Sequence, residues 1–518
     1  MKKSLYAKNI LKYTFIVFFI ITPLISAALF CLRDGKTIND VYMPLGGWSD
    51  EITYYKQIEG ILAYGMPRGY FGYNQSRAMY GTLGVWGIIP LIPYIIWGFF
   101  FHWNYSSPIY ANIFFCMFAL IVVYLLLRPK KRWMGMFSLF WFSNQFLNRY
   151  LLSGVIEASI IAQLLIVTSL GIYLLSDTLH QERKAASLSD NSALTLCTLI
   201  ICFMALERPY FEVLLLIPFW KSRKDKRKVW MIILPILAIV IMALFFINNH
   251  FFCSTYFTNI FSFHNLQEQG ISGLVSKLFL SLLEIARLIW YAVRYKGIGV
   301  GWYYLLLAAE LFTMIIVCIR RKLSHKAIPP MYLITLIGNI LIILSIIVMY
   351  SLVVGARHIL ALVVANAFVL VTEKHLFVTG ILTAICLVSM IQTGHADAPP
   401  YRVEEYTIYM NQLKEEFANV VHVSDYISYE NVVAMPTADS KVNNPEEKVS
   451  TYYGLMFAMP AGVGISLDFE DYYDNPDNIK AGYILVHPDG LIHEKLEAQG
   501  MHCIYKNEEL ALYTNNLP

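Results

Sequence analysis

The 518-residue sequence predicts a polytopic all-α membrane protein, with about 11 transmembrane helices, outer juxtamembrane helices and a small extracytoplasmic α/β domain at the C-terminal end. Three observations carry that prediction. The composition is 57% hydrophobic and only 15% charged, with a mean hydropathy of +0.53, which puts most of the chain outside the range of a water-soluble domain. Membrane-length apolar runs alternate with short clusters of Lys and Arg. From about residue 394 the apolar runs stop and the charge turns acidic.

The first element is an apolar run from about Tyr13 to Cys31, preceded by Lys2, Lys3, Lys8 and Lys12. A secretory signal has the same polarity, but this run is about 19 residues, long enough to span, and more spans follow, so it reads as a retained first helix. Basic clusters in short loops resist translocation and mark the cytoplasmic side. They fall at Lys2 to Lys12, Arg128 to Arg132, Arg183-Lys184, Lys221 to Lys228, Arg320 to Lys326, and Lys374. If all are inside, the crossings between successive clusters must be even in number.

Between the first cluster and Arg128 lie three apolar runs, 13 to 31, 82 to 101 and 108 to 127, where parity allows two crossings. The run at 82 to 101, interrupted by Gly84, Gly87, Pro90, Pro93 and Gly98, is the weakest helix and is assigned to a juxtamembrane or re-entrant element. Further spans are expected at 133 to 150, 158 to 176, 192 to 206, 209 to 220, 229 to 248, 301 to 319, 331 to 350, 359 to 373 and 376 to 393. The pair around Glu207-Arg208-Pro209 is short, at about 12 to 15 residues each, and suits a shallow hairpin with its turn buried in protein. Leu274 to Val293, with Lys277, Glu284 and Arg287 interspersed, reads as a helix lying at the interface.

The domain organisation follows as 1–393 for the membrane portion and 394–518 for an acidic extracytoplasmic domain. Residues 394–518 hold 20 Asp plus Glu against 7 Lys plus Arg, a net of −13, which leaves +17 on the rest. Helices are expected at Val403 to Phe417 and Leu491 to Gln499, and strands at Val420 to Val423, Asn431 to Met435 and Gly482 to His487. A hairpin is expected at Cys503 to Thr514. Eight dispersed cysteines, none at zinc or redox spacing, predict no disulfide framework. No P-loop, glycine fingerprint or HExxH occurs, which argues against an ATP-driven transporter or a Rossmann-type nucleotide-sugar enzyme.

The chemistry concentrates in the first outer loop, Gly46 to Asn74, rich in Gly, Tyr and Trp. Its adjacent Asp50 and Glu51 are candidates for a general base, because a carboxylate near the membrane can take the proton of an attacking hydroxyl. Aromatics such as Tyr55 suit an interfacial sugar site. A helix N-cap explains the same acidic pair without any chemistry. On the same side, Gly355-Ala356-Arg357-His358 offers a cation for a phosphate, or an interface anchor. Secondary candidates are Tyr55, Arg68, Arg149, Glu157 and Arg208; Arg149 and Glu157 flank a turn at Gly154 and could pair, and Arg208 calls for a buried partner. The histidines are too dispersed for a metal site.

These features together, namely the early acidic pair, the Gly/Pro/aromatic surface segment, the span number and the extracytoplasmic C-terminal domain, resemble the GT-C superfamily of membrane glycosyltransferases. Within it they are most similar to protein O-mannosyltransferases, aminoarabinose lipid A transferases and their Gram-positive relatives. The resemblance covers roughly residues 1 to 395 and implies inverting transfer of a hexosyl or pentosyl group from a polyprenyl-phosphate-linked donor to a glycan, lipid or protein acceptor on the outer face. It implies Asp50 as base, Glu51 as the neighbouring carboxylate, and Arg357 with His358 as the donor phosphate site. No nucleic acid partner is expected. Two carboxylates can also serve a hard cation, so a divalent metal stays open. Two other readings remain: an O-antigen-type ligase or polymerase, whose large loop lies late in the chain, and a lipid-linked glycan flippase or transporter, which calls for inverted repeats.

Overall fold

The computed structural model describes residues 12–45, 49–66, 71–76, 87–176, 188–253, 264–295, 299–349, 352–373, 375–394, 398–425, 428–442 and 454–514. Arg68, Lys296, Lys374, the Arg183-Lys184 pair, Lys2 to Lys8, Gly46 to Trp48 and residues 82–86 lie outside the described residues.

The chain is a multi-pass membrane protein. Among the described residues, eight helices are long and apolar enough to cross a bilayer, or nine if the bent pair α1 (Lys12–Ile20) and α2 (Thr22–Arg33), which meet at 65°, forms one span. The eight are α5 (Ser107–Leu127), α8 (Glu157–Leu175), α9 (Asp190–Glu207), α11 (Lys228–Phe252), α13 (Val300–Leu323), α14 (Pro330–Met349), α15 (Leu352–Thr372) and α16 (Leu376–Thr393). The difference from the expected 11 lies in two runs. Residues 133 to 150 are broken into α6 (Lys131–Ser143) and α7 (Gln145–Leu151), and 209 to 220 into a 3-10 turn Pro209–Leu215 followed by α10 (Leu216–Lys224). Pro209 has no N–H to give and cannot continue α9, which explains the second break. The shallow hairpin needs correction as well, because its first half, α9, has 18 residues and the hydropathy of a span.

Among its described residues, the weak run at 82 to 101 contains a 3-10 turn at Ile89–Leu91 and the ten-residue α4 (Ile92–Phe101), which packs on α3 (Ser49–Tyr64) and α5. The amphipathic stretch at 274 to 293 falls in α12 (His264–Arg294), kinked at Gly270. Phe279, Leu282, Leu283 and Trp290 are exposed on it, while Leu288 and Ala292 press on Gly301 of α13. All eight cysteines are free.

The C-terminal domain is built on a six-stranded sheet of order β1-β3-β2-β4-β6-β5, with β2 (Val432–Pro436), β3 (Gly464–Asp468), β4 (Tyr483–Val486), β5 (His502–Lys506) and β6 (Ala511–Thr514). Helices α17 (Glu404–Val420) and α18 (Leu491–Ala498) belong to it. The expected strand at 420 to 423 is absent, because α17 runs on to Val420 and the chain then continues without strand pairing to Val423. The edge strand β1 (Phe71–Tyr73) comes from the first outer loop and pairs in parallel with β3, Phe71 opposite Ile465. The sheet therefore crosses the expected boundary at 393.

Candidate active site

Helix α3 begins at the acidic pair and presents two faces. One carries Asp50, Glu51 and Tyr54 toward the ends of α8, α9 and α15; the other carries Tyr55, Lys56 and Glu59 toward the C-terminal domain. Glu157 opens α8, Arg208 follows the last residue of α9, and Arg357 lies in the second turn of α15, so all three sit at the same end of the bundle. At the other end of α9, Lys221 Nζ lies 2.9 Å from Asp190 Oδ2, within the basic cluster of 221 to 228.

Charges alternate across the site. The Arg357 guanidinium donates through Nη1 to Asp50 Oδ2 and brings Nε to 3.4 Å from Glu157 Oε1. The same Glu157 oxygen is 3.8 Å from Nη2 of Arg208, which is 0% exposed. Two carboxylates and two guanidinium groups thus form one chain, Asp50–Arg357–Glu157–Arg208, whose charges cancel. Burial at the Arg208 end makes that cancellation necessary, since an uncompensated charge there would lose its hydration with nothing in return. At the Asp50 end the carboxylate and Arg357 are 29% and 20% exposed, so this end of the chain opens outward.

Glu51 has a different task. Its carboxyl is buried and accepts the Gly154 N–H at 2.9 Å, and burial pushes it up to about 7 against the pull of that hydrogen bond and of the Arg149 charge. A Cβ on Gly154 would lie 2.4 Å from Met43 Cε and 3.2 Å from Glu51 Cβ, so the glycine is what lets the turn approach α3 this closely. His358 is buried beside Arg357, with the Tyr210 ring edge-on at 6.3 Å.

The sequence candidates divide accordingly. Asp50, Glu157, Arg208 and Arg357 come together, Glu51 and Arg149 stand behind them, and His358 adjoins. Tyr55 points the other way, stacked on Trp103 at 5.5 Å and packed on Phe457 of the C-terminal domain at 5.0 Å. The aromatic residue at the site is Tyr54, on whose hydroxyl Asp50, Arg208, Glu157 and Arg357 all act. Helical spacing from Asp50 points to it, since a residue four positions on shares its face. Among the described residues, no group of three or more His, Cys, Asp or Glu side chains could hold a metal ion.

No protein-family model matches the sequence, and no curated protein matches it. The likeness is structural. The crystal structure of the Archaeoglobus fulgidus oligosaccharyltransferase tethered to an acceptor peptide superposes with a TM-score of 0.50 at 13% identity, covering 98% of this chain and 74% of that one. The chain shares the membrane fold of that oligosaccharyltransferase. Another solved structure, ArnT from Cupriavidus metallidurans bound to undecaprenyl phosphate, covers 97% of this chain and 98% of that one at 12% identity and a TM-score of 0.45. At 13% identity what is shared with the oligosaccharyltransferase is the fold, and the chemistry has to come from the residues of the site itself.

Proposed function

We propose that this protein is an integral membrane glycosyltransferase that moves a sugar from a polyprenyl-phosphate-linked donor to an acceptor of the cell envelope, at the outer face. The observation that carries the reading is the contact of Asp50 with Arg357: a carboxylate and a cation, partly exposed, at the end of the bundle away from the basic clusters. The positive-inside rule puts that end outside, with the N-terminus cytoplasmic and the C-terminal domain extracytoplasmic.

In the proposed reaction the acceptor hydroxyl attacks the anomeric carbon as Asp50 takes its proton. The carbon–oxygen bond to phosphate breaks, its electron pair stays on the phosphate oxygen, and the configuration inverts. The leaving polyprenyl phosphate gains a negative charge, and Arg357 is the group that compensates it. Glu157 and Arg208 hold Arg357 from behind, and Glu51 fixes the start of α3 to the Gly154 turn. The shared fold with an oligosaccharyltransferase is compatible with this chemistry.

Sugar transfer from undecaprenyl-phosphate-linked donors by the purified protein tests the reading. Asp50→Asn is expected to lower turnover by about two to four orders of magnitude in a folded protein. Arg357→Ala is expected to lose binding of undecaprenyl phosphate. Transfer that persists in Asp50→Asn removes the base assignment, and unchanged lipid phosphate binding in Arg357→Ala removes the phosphate assignment.

A further inference from the structure

Lys56 lies on the face of α3 opposite the site and is 1% exposed. An ammonium has three protons to place and no acceptor of its own. All three positions have a taker: the Glu59 carboxylate one turn on, the Met459 carbonyl at 2.6 Å and the Pro460 carbonyl at 3.1 Å. Two of these belong to the C-terminal domain. Close by, Gly462 (φ +83°) has no room for a side chain, since a Cβ would lie 2.5 Å from the Tyr64 ring at the end of α3. The segment 459–462 therefore grips α3 over its second half.

The same loop is fastened a second time beyond its helix. Gln75 follows β1, and its backbone N–H and side-chain amide both donate to Asp468 at the end of β3, at 3.3 and 2.8 Å, while its Oε1 accepts the backbone N–H groups of Lys480 and Ala481 at 2.5 and 2.7 Å. Asp468 also accepts from the hydroxyls of Ser466 at 2.5 Å and Tyr473 at 3.1 Å. Buried polar groups satisfied this completely fix a single geometry, because any displacement strands a donor or an acceptor.

We infer that Lys56 is a positioning residue, and that the C-terminal domain acts through it, with the Gln75–Asp468 fastening in support, to set where α3 presents Asp50 to Arg357. The domain's part in the reaction is then to hold the base, which the Glu51–Gly154 hydrogen bond and the Arg357 ion pair hold from the membrane side. The inference rests on the assignment of Asp50 as base.

Two variants of the full-length protein in detergent test it. Lys56→Met keeps the length of the side chain and removes all three donors. Asp468→Asn keeps the shape, but either orientation of its amide turns the NH2 toward two donors. Hydrogen exchange in residues 49–64 is expected to accelerate about tenfold or more in Lys56→Met, with 157–175 and 352–372 unchanged. In Asp468→Asn the acceleration is expected in 71–76. Turnover of an undecaprenyl-phosphate-linked sugar, per site that binds undecaprenyl phosphate, is expected to fall about tenfold in Lys56→Met with donor KM within about twofold, because the donor phosphate is held by α15. Wild-type exchange in 49–64, or wild-type turnover per binding site, overturns the inference. If Lys56→Met does not fold, the Asp468→Asn exchange and turnover decide it in the same way. A wild-type protein that transfers nothing from such donors counts against the proposed function, and exchange still decides the clamp.

Discussion

Arg357 is joined to Asp50 by an ion pair that is also a hydrogen bond, linking α15 to the first turn of α3. In the proposed reaction base and phosphate ligand are therefore each other's partner, and a donor phosphate would compete with Asp50 for the same guanidinium edge. Arrival of the donor frees the carboxylate that the acceptor needs. Asp50→Asn should then do two opposite things, lowering turnover by about two to four orders of magnitude while tightening undecaprenyl phosphate binding by about threefold to tenfold, a modest gain because the pair is partly solvent-screened. Binding measured by calorimetry or by competition with a labelled lipid checks this; weaker binding in the variant would contradict the competition.

Glu157 lies between two guanidinium groups, and Arg208 has no access to water. Glu157→Gln takes away the carboxylate that the two cations share, while Arg357 keeps Asp50, and is expected to cost about 3 kcal/mol. The double variant Glu157→Gln/Arg208→Met removes the buried charge as well and should recover a large part of the loss. Thermal unfolding of the single and double variants in detergent gives the comparison, and additive losses would speak against the coupling.

Glu51 makes stability depend on pH with a sign opposite to that of most carboxylates. Its folded value is raised to about 7, so the folded state holds a proton that the unfolded chain releases near the ordinary carboxylate range. The stabilisation is whole below that range and disappears as pH rises toward 7, a change of about 3 kcal/mol. The melting temperature should fall between pH 5 and pH 7.5 in the wild type and fall less in Glu51→Gln, which can still accept the Gly154 N–H. Parallel profiles for the two proteins would show that Glu51 does not titrate in this window.

Gly154→Ala pushes a methyl group into Met43 and Glu51. Met43 ends in a flexible thioether and can yield, whereas the Glu51 Cβ is fixed to its helix. An overpacking cost of about 1 to 3 kcal/mol is expected, and it should persist with Met43→Ala in the same chain, which leaves the Glu51 Cβ contact in place. Chemical or thermal unfolding of the pair measures it.

The sequence exposed the large-scale plan because lipid imposes long apolar runs and basic loops leave a parity that limits how they can be threaded. That parity put Asp50 and Arg357 on one side of the bilayer, and the structure has them in contact. The breaks within 133–150 and 209–220 were harder to see, since hydropathy does not distinguish one span from two short helices. Of the two adjacent tyrosines of α3, Tyr55 packs in aromatic company and Tyr54 shares Asp50's face, a distinction the composition of the loop does not show. Strands β1 and β3 were the least legible part. β1 has three residues, and β3 (Gly-Ile-Ser-Leu-Asp) is buried at every position, so neither shows the alternation that marks a half-exposed strand. With them went Lys56 and Gln75, whose partners lie at the far end of the chain.

The pairing of Phe71 with Ile465 brings together two stretches of chain that leave the ribosome far apart in time. Everything between them has to be threaded through the bilayer before β3 exists, and until then β1 has no neighbour to bond with. The loop that holds the acidic helix is thus completed last although it is made early, and a prematurely ended chain leaves β1 and Lys56 without their C-terminal partners. Conversely, a C-terminal domain without the first loop would show the bare edge of β3, the kind of edge that recruits strands from other molecules. Order of assembly, as much as final geometry, is written into that three-residue strand.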